Sequence, residues 1–178
     1  MIGIADPAPL VGAAERDKLR EVLRGVLFDW RGTPVADPPN EWWLCKAMER
    51  LGRDADGLGQ LVDALDAASR NDDVAQAMSL ADRSSSGHRE ATMLWFQMAG
   101  LDDELAAVLY DLDFEAEHHA FLPDVAETLQ ALHAGGVATG VVSDIHFDLP
   151  PEFASAGLGD LIDSFVLSFE HGVQKPDP

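Results

Sequence analysis

Lysine and cysteine are scarce in this chain, and long hydrophobic runs are missing altogether. Among 178 residues, lysine occurs only as Lys18, Lys46 and Lys175, and cysteine only as Cys45. A lone cysteine excludes an intrachain disulfide and suits a reducing compartment. No stretch approaches the roughly 18 apolar residues of a membrane span. Met1 to Ala14 holds neither a basic residue nor an apolar core of signal-peptide length, so a cytoplasmic location is expected. Positive charge is also in short supply: 12 Lys and Arg stand against 32 Asp and Glu, a formal net charge of −20. Such a field repels nucleic acid and anionic lipid, which removes both as partners. It repels phosphorylated substrates too, so an enzyme acting on them needs a local cation, a divalent metal with a placed Lys or Arg. Arginine outnumbers lysine, and alanine and aspartate abound, as in GC-rich bacterial genomes or mild salt adaptation.

What is present is 47% hydrophobic residues, enough for a buried core in one domain with an inserted subdomain. Residues 1–12, with Gly3, Pro7, Pro9 and Gly12, read as a flexible leader. Leu19, Val22, Leu23 and Val26 follow at helical spacing, predicting a helix over 13–24. Gly25 to Trp30 is a short apolar strand that delivers Asp29 at its carboxyl tip, and Gly32 closes it. Pro34, Pro38 and Pro39 then open a region without strand-like alternation.

Helices are predicted there over 41–51 (with Asn40 as cap), 58–68, 72–80, 88–99 and 102–112. Alternation returns with a helix from Pro123, a strand over 137–142 ending in Ser143-Asp144, a helix over 151–156 and a strand over 163–167. The loop 169–178 carries Lys175. Strand, helical insert, helix, strand, helix, strand is the order of a Rossmann-like α/β sheet with parallel strands and right-handed crossovers. The expected division is a core of 13–35 and 117–178 with a helical cap of 36–116. Parallel strands point their carboxyl ends one way, so Asp29, Ser143 and Lys175 should meet on one edge.

These stretches resemble the haloacid dehalogenase superfamily of hydrolases. The matches are Val26-Leu27-Phe28-Asp29-Trp30-Arg31-Gly32-Thr33, then Val141-Val142-Ser143-Asp144, then Ser168-Phe169-Glu170-His171-Gly172-Val173-Gln174-Lys175-Pro176-Asp177-Pro178. Leu122 to Leu129 is similar to the family's return from cap to core. The resemblance implies Asp29 as nucleophile, forming an aspartyl-phosphate that water hydrolyses. It implies Mg²⁺ held by the Asp29 carboxylate and the Arg31 backbone carbonyl. Ser143 would grip phosphoryl oxygens, Lys175 would neutralise Asp29 and the developing charge, and Arg31, Thr33 and Asp144 would contact substrate. A Mg²⁺-dependent phosphatase acting on a small phosphorylated metabolite is the expectation.

Two departures open alternatives. Arg31 stands where the family's phosphatases carry a second Asp as acid and base, a loss that typically costs about 10²–10⁴-fold in rate. The family's fourth motif, further metal-binding Asp residues on a later strand, has no counterpart up to Pro178, which implies weak Mg²⁺ binding and low turnover. A 2-haloacid dehalogenase-like hydrolase would use the same Asp29 on carbon without metal. A non-catalytic relative would keep the fold for binding.

Other residues read more plainly. Asp144 to Asp148 is expected to be a polar loop, His118-His119 a solvated helix end, and His88 and Arg89 surface residues. Trp42, Trp43, Trp95 and Phe96 are expected in the core of the insert, one of them lining a pocket, and Cys45 as inert core.

Overall fold

The computed structural model describes residues 23–176. The leader and the helix expected over 13–24 fall outside these residues, apart from its last two positions. Three parallel strands form the sheet in the order β1 (Gly25–Phe28), β2 (Ala138–Ser143), β3 (Ser164–Leu167). Phe28 lies opposite Val141, and Ser143 opposite Leu167. All three carboxyl ends therefore finish within about two residues of a common rim. Asp29 leaves β1 at that rim, Ser143 ends β2 on it, and Ser168 begins just past β3.

Five helices form a separate layer between β1 and β2: α1 (Asn40–Arg50), α2 (Leu58–Ala68), α3 (Asp72–Met78), α4 (Ser85–Met98) and α5 (Asp103–Leu112). Polar caps set several of their starts. Asn71 Oδ1 accepts the Asp73 N–H at 2.9 Å, Ser84 Oγ accepts the Gly87 N–H, and Asp102 Oδ1 accepts the Leu105 N–H, both at 3.0 Å. Ser84 explains why α4 begins three residues ahead of the expected position: its hydroxyl supplies the first-turn acceptor. Asn40 is not a cap. It lies inside α1 behind Pro39, and its Nδ2 donates to Asp66 of α2 at 3.0 Å. Leu44, Leu65, Phe96, Leu105 and Leu109 are buried in the layer's own core, with Trp43 and Trp95 packed against it. Cys45 is exposed, contrary to expectation, because Leu44, Ala47 and Met48 take the buried stripe of α1.

The chain enters and leaves this layer through one narrow connection. Segments 34–36 and 120–122 run antiparallel, with Ala36 N–H donating to Ala120 O and Leu122 N–H to Pro34 O, both at 2.9 Å. Beyond it, α6 (Val125–Ala134), α7 (Pro150–Ser155) and the short α8 (Ser168–His171) complete the described core. A second apolar cluster gathers Trp30, Val35, Leu129, Val141, Phe153 and Leu167. Trp30 is fully buried, with its ring 5.5 Å from Phe153 and 5.7 Å from Phe121. The residue after Asp29 is thus an anchor, and it holds the rim loop against the core. The turn that follows needs glycine: Gly32 has φ 71°, the left-handed region, and Thr33 N–H closes back on Trp30 O. Leu27, at 71% exposure, lies on the open face of the sheet over Gly140 of β2. No helix among the described residues is long and apolar enough to cross a membrane.

Phe153 is the spacer between Trp30 and the sheet. Replacing it by alanine should cost about 3–5 kcal/mol of stability through the cavity left behind. Chemical denaturation of Phe153→Ala measures this, and a loss below about 1 kcal/mol would mean that Trp30 does not depend on it.

Candidate active site

On the rim, Asp29 receives three donors. Its Oδ1 accepts the Ser143 hydroxyl at 2.9 Å and the Trp30 N–H at 2.8 Å, and its Oδ2 accepts the Lys175 ammonium at 2.8 Å. Lys175 also donates from Nζ to the Val142 carbonyl at 3.2 Å, and its backbone N–H is held by Asp144 Oδ1 at 2.9 Å. Asp144 therefore places the lysine, which in turn places the charge. Asp29 remains half exposed, at 50%. Partial burial disfavours its charged form, but the Lys175, Trp30 and Ser143 hydrogen bonds outweigh this and hold the carboxyl below its ordinary range. It is an anion at any physiological pH.

An ionised carboxylate offers about four acceptor positions, and three are filled here. One remains for an electrophile. A cavity of about 270 Å³ opens at this point, lined by Asp29, Trp30, Arg31, Ser143, Asp144, Ile145 and Lys175. Of the expected site residues, Asp29, Ser143, Lys175, Arg31 and Asp144 come together here. Thr33 does not. It faces a small cavity beside Phe28, Asp124 and Thr128 instead, because the glycine turn carries it away from the rim.

Mg²⁺ takes near-octahedral oxygen ligation with one or two carboxylates. Asp29 has a single acceptor position left and an ammonium 2.8 Å from its other oxygen, while Asp144 Oδ1 is committed to Lys175. No cluster of three potential metal-binding side chains among the described residues includes Asp29. As held, the rim offers a cation one open Asp29 acceptor position and the Asp144 oxygen that does not hold Lys175, so a Mg²⁺ ion here would keep most of its waters. Groups of three potential ligands do lie together at Asp82, His88 and His146, and at Glu115, Glu117 and His118, but their imidazoles suit a softer metal than Mg²⁺.

The Arg31 side chain turns from Asp29 toward the helical layer and forms an ion pair with Asp113, at the end of α5. Asp113 is shared. Its Oδ2 lies 3.2 Å from His146 Nε2, and His146 Nδ1 lies 3.4 Å from Asp82 Oδ1. The segment expected to be a polar loop is a loop, but its middle is buried: His146 is 3% exposed and Ile145 4%. Ser85 Oγ donates to the His146 carbonyl at 2.6 Å, and Ser168 Oγ accepts the Ile145 N–H while donating to Asp82 O. His88 is not a surface residue either, since its ring stacks on that of His146 at 3.3 Å. Nor is His119 solvated. It is buried against Trp30, with Nδ1 3.0 Å from Glu152 and Nε2 3.1 Å from the Asp113 carbonyl. His118 packs against Trp42 and Trp43. Arg89 is exposed, as expected. Nothing in the local pattern marks these histidines, because their partners come from segments remote in sequence.

Burial penalises charge on His146, but Asp113 and Asp82 outweigh it and raise its pKa above 6.5. His88 is driven down to about 4 by burial and by the charge on His146. Of the stacked pair, His146 is the one that accepts positive charge more readily.

No family model matches the chain, and no curated protein is significantly similar to it. Solved structures are similar. One is a dehalogenase with a TM-score of 0.57 and 19% identity, aligned over 88% of this chain and 67% of that one. Another is the L-2-haloacid dehalogenase from Xanthobacter autotrophicus, with a TM-score of 0.56 and 21% identity over 88% of this chain and 61% of that one. The fold is that of the haloacid dehalogenases. This chain spans about two thirds of the length of those proteins. A predicted phosphoglycolate phosphatase from Haemophilus somnus aligns at a TM-score of 0.48 with 18% identity. In the haloacid dehalogenase fold seen here, the helical layer is an insert after β1, as the sequence order predicts.

A histidine with a raised folded pKa stabilises fully below its unfolded pKa, near 6.5, and loses that contribution as pH rises through the folded value. His146→Gln should therefore lower stability by about 1–3 kcal/mol in mild acid. The difference from the parent should shrink toward alkaline pH. Thermal melts of both chains across pH 5.5 to about 9 report this; a gap that does not change with pH would remove the ion-pair account.

Proposed function

We infer that this protein is a hydrolase in which Asp29 attacks substrate and forms a covalent ester. The observation that carries the reading is the Asp29 carboxylate itself: ionised, half exposed, and fixed by Ser143, Trp30 N–H and Lys175 with one acceptor position left. The arrangement favours attack on carbon. Lys175 already compensates the nucleophile's charge without a metal, and Arg31, engaged by Asp113, is no acid or base for a leaving alkoxide.

In the first step an Asp29 oxygen forms a C–O bond as the bond from that carbon to its leaving group breaks, and the group departs with the electron pair. The 270 Å³ cavity receives it beside Ser143 and Lys175, the groups able to hold an anion. Water then adds to the Asp29 carbonyl carbon, the ester C–O bond to Asp29 breaks, and the hydroxylated product leaves with one net proton passing to solvent. A small haloacid-type substrate suits this chemistry.

A Mg²⁺-dependent phosphatase working through an aspartyl-phosphate is the second reading. Two carboxylates, Asp29 and Asp144, lining one half-open cavity favour it. It requires Lys175 to yield part of its hold on Asp29.

Hydrolysis in H₂¹⁸O tests the nucleophile. Single turnover should place the label first in the Asp29 carboxylate, seen as a +2 Da shift in its peptide. Asp29→Asn should abolish turnover, and label found only in product with Asp29→Asn still active would remove Asp29 from the reaction. EDTA decides between the readings: activity that survives it supports attack on carbon, and activity restored only by Mg²⁺ supports the phosphatase.

A further inference from the structure

Arg31 lines a second, larger cavity besides that of Asp29. It measures about 650 Å³, lies inside the helical layer, and is of the size that takes a small organic molecule. Its walls are aromatic: Trp43, Trp95, Phe96 and Tyr110. The Trp95 ring is fixed by a hydrogen bond from Nε1 to the Leu65 carbonyl at 2.8 Å. Among the described lining residues Arg31 is the only Lys or Arg, and Asp113 neutralises it.

Three further carboxylates line the same space, Asp37, Glu41 and Asp66. Asp66 accepts only the neutral Asn40 amide, and neither it nor the other two meets a Lys or Arg within ion-pair distance among the described residues. A buried hydroxyl also awaits a partner. Thr92 is 5% exposed, lines this cavity, and its Oγ1 makes no hydrogen bond. An orphaned polar atom in an otherwise packed wall marks a place where a ligand group completes the bonding.

The wall already shows its taste for cations. The Arg31 guanidinium lies 5.7 Å from the centre of the Trp43 ring, and that of Arg89 sits 5.0 Å from the centre of Tyr110. Aromatic faces with uncompensated carboxylates are the combination that binds organic ammonium ions, the rings through their quadrupoles and the acids through Coulomb attraction. The same acids repel a carboxylate or phosphate. We propose that the cavity inside the helical layer binds a small organic ammonium ion, a protonated amine with an apolar body whose N–H can also meet Thr92 Oγ1, as the non-reacting part of the substrate. This rests on the hydrolase reading above and adds its substrate class: the reactive end lies at Asp29, and the cationic end lies beyond Arg31.

Equilibrium binding to the whole chain tests this apart from catalysis. Quenching of tryptophan fluorescence and titration calorimetry would be followed with phenethylammonium, phenylacetamide and phenylacetate. The ammonium ion should bind saturably and at least about tenfold tighter than the other two. Asp66→Asn and the exposed Glu41→Gln should each weaken it several-fold with unchanged circular dichroism, and Trp43→Phe should remove part of the quench. Asp29→Asn should bind as the parent does, so a failure of the nucleophile assignment and a failure of this one are separate results. Phenylacetate binding as tightly as the ammonium ion would overturn the proposal. So would the absence of saturable ammonium binding up to about 10 mM, or insensitivity to both acid replacements.

Discussion

Parallel pairing drives the carboxyl ends of β1, β2 and β3 onto one rim, and everything the protein can do chemically follows from what that rim brings together. Asp29 and Lys175 are separated by most of the chain, yet their charged atoms lie 2.8 Å apart. In a chain with formal charge −20, a carboxylate left alone on this rim would repel substrate anions and bind protons or metal indiscriminately. The ammonium of Lys175 fixes both problems locally. Ser143 and the Trp30 N–H orient the carboxylate, and the fully buried Trp30 ring ties that orientation to the core. The geometry is thus held by packing as much as by charge, which is what keeps a nucleophile in one place while exposed to water.

The helical layer meets this rim through charge rather than apolar burial. Arg31, Asp113, His146 and Asp82 form a chain of alternating sign across the junction, with Ser85 and Ser168 bonding backbone groups on either side. Each apolar cluster is closed within its own layer, so the junction is free to remain polar. A polar junction beside a nucleophile has a consequence for the ligand: the one arginine reaching both cavities is already spoken for by Asp113. Recognition under the helices then falls to aromatic faces and unmatched acids, while anion handling stays with Lys175 and Ser143.

Much of the architecture was legible in the linear chain. The apolar run before Asp29, the helical spacing of Leu58 to Ala68, and the run before Ser143 each report a local preference that the fold does not override. What misled was the environment of polar residues with no periodic signature. His88, His119 and His146 read as a surface residue, a solvated helix end and part of a polar loop, but each is covered by an element remote in sequence. Cys45 misled in the opposite direction: an apolar-looking position on α1 falls just off the stripe that faces Leu65 and Leu109. Thr33 followed the motif pattern, and the left-handed Gly32 turned it aside.

The chain order of the strands, the helical insert and the placement of Asp29 and Ser143 at strand ends were determined by the sequence alone, because short-range periodicity and chain order suffice to specify which residues end parallel strands, while Lys175 was singled out by the family resemblance. The direction of the Arg31 side chain, the preference for charge on His146 over His88 in their stack, and the acid-lined aromatic cavity were decided only by the tertiary structure. Each depends on how closely two separately folded layers approach, and electrostatic and aromatic interactions act over a few ångströms of space rather than along the chain.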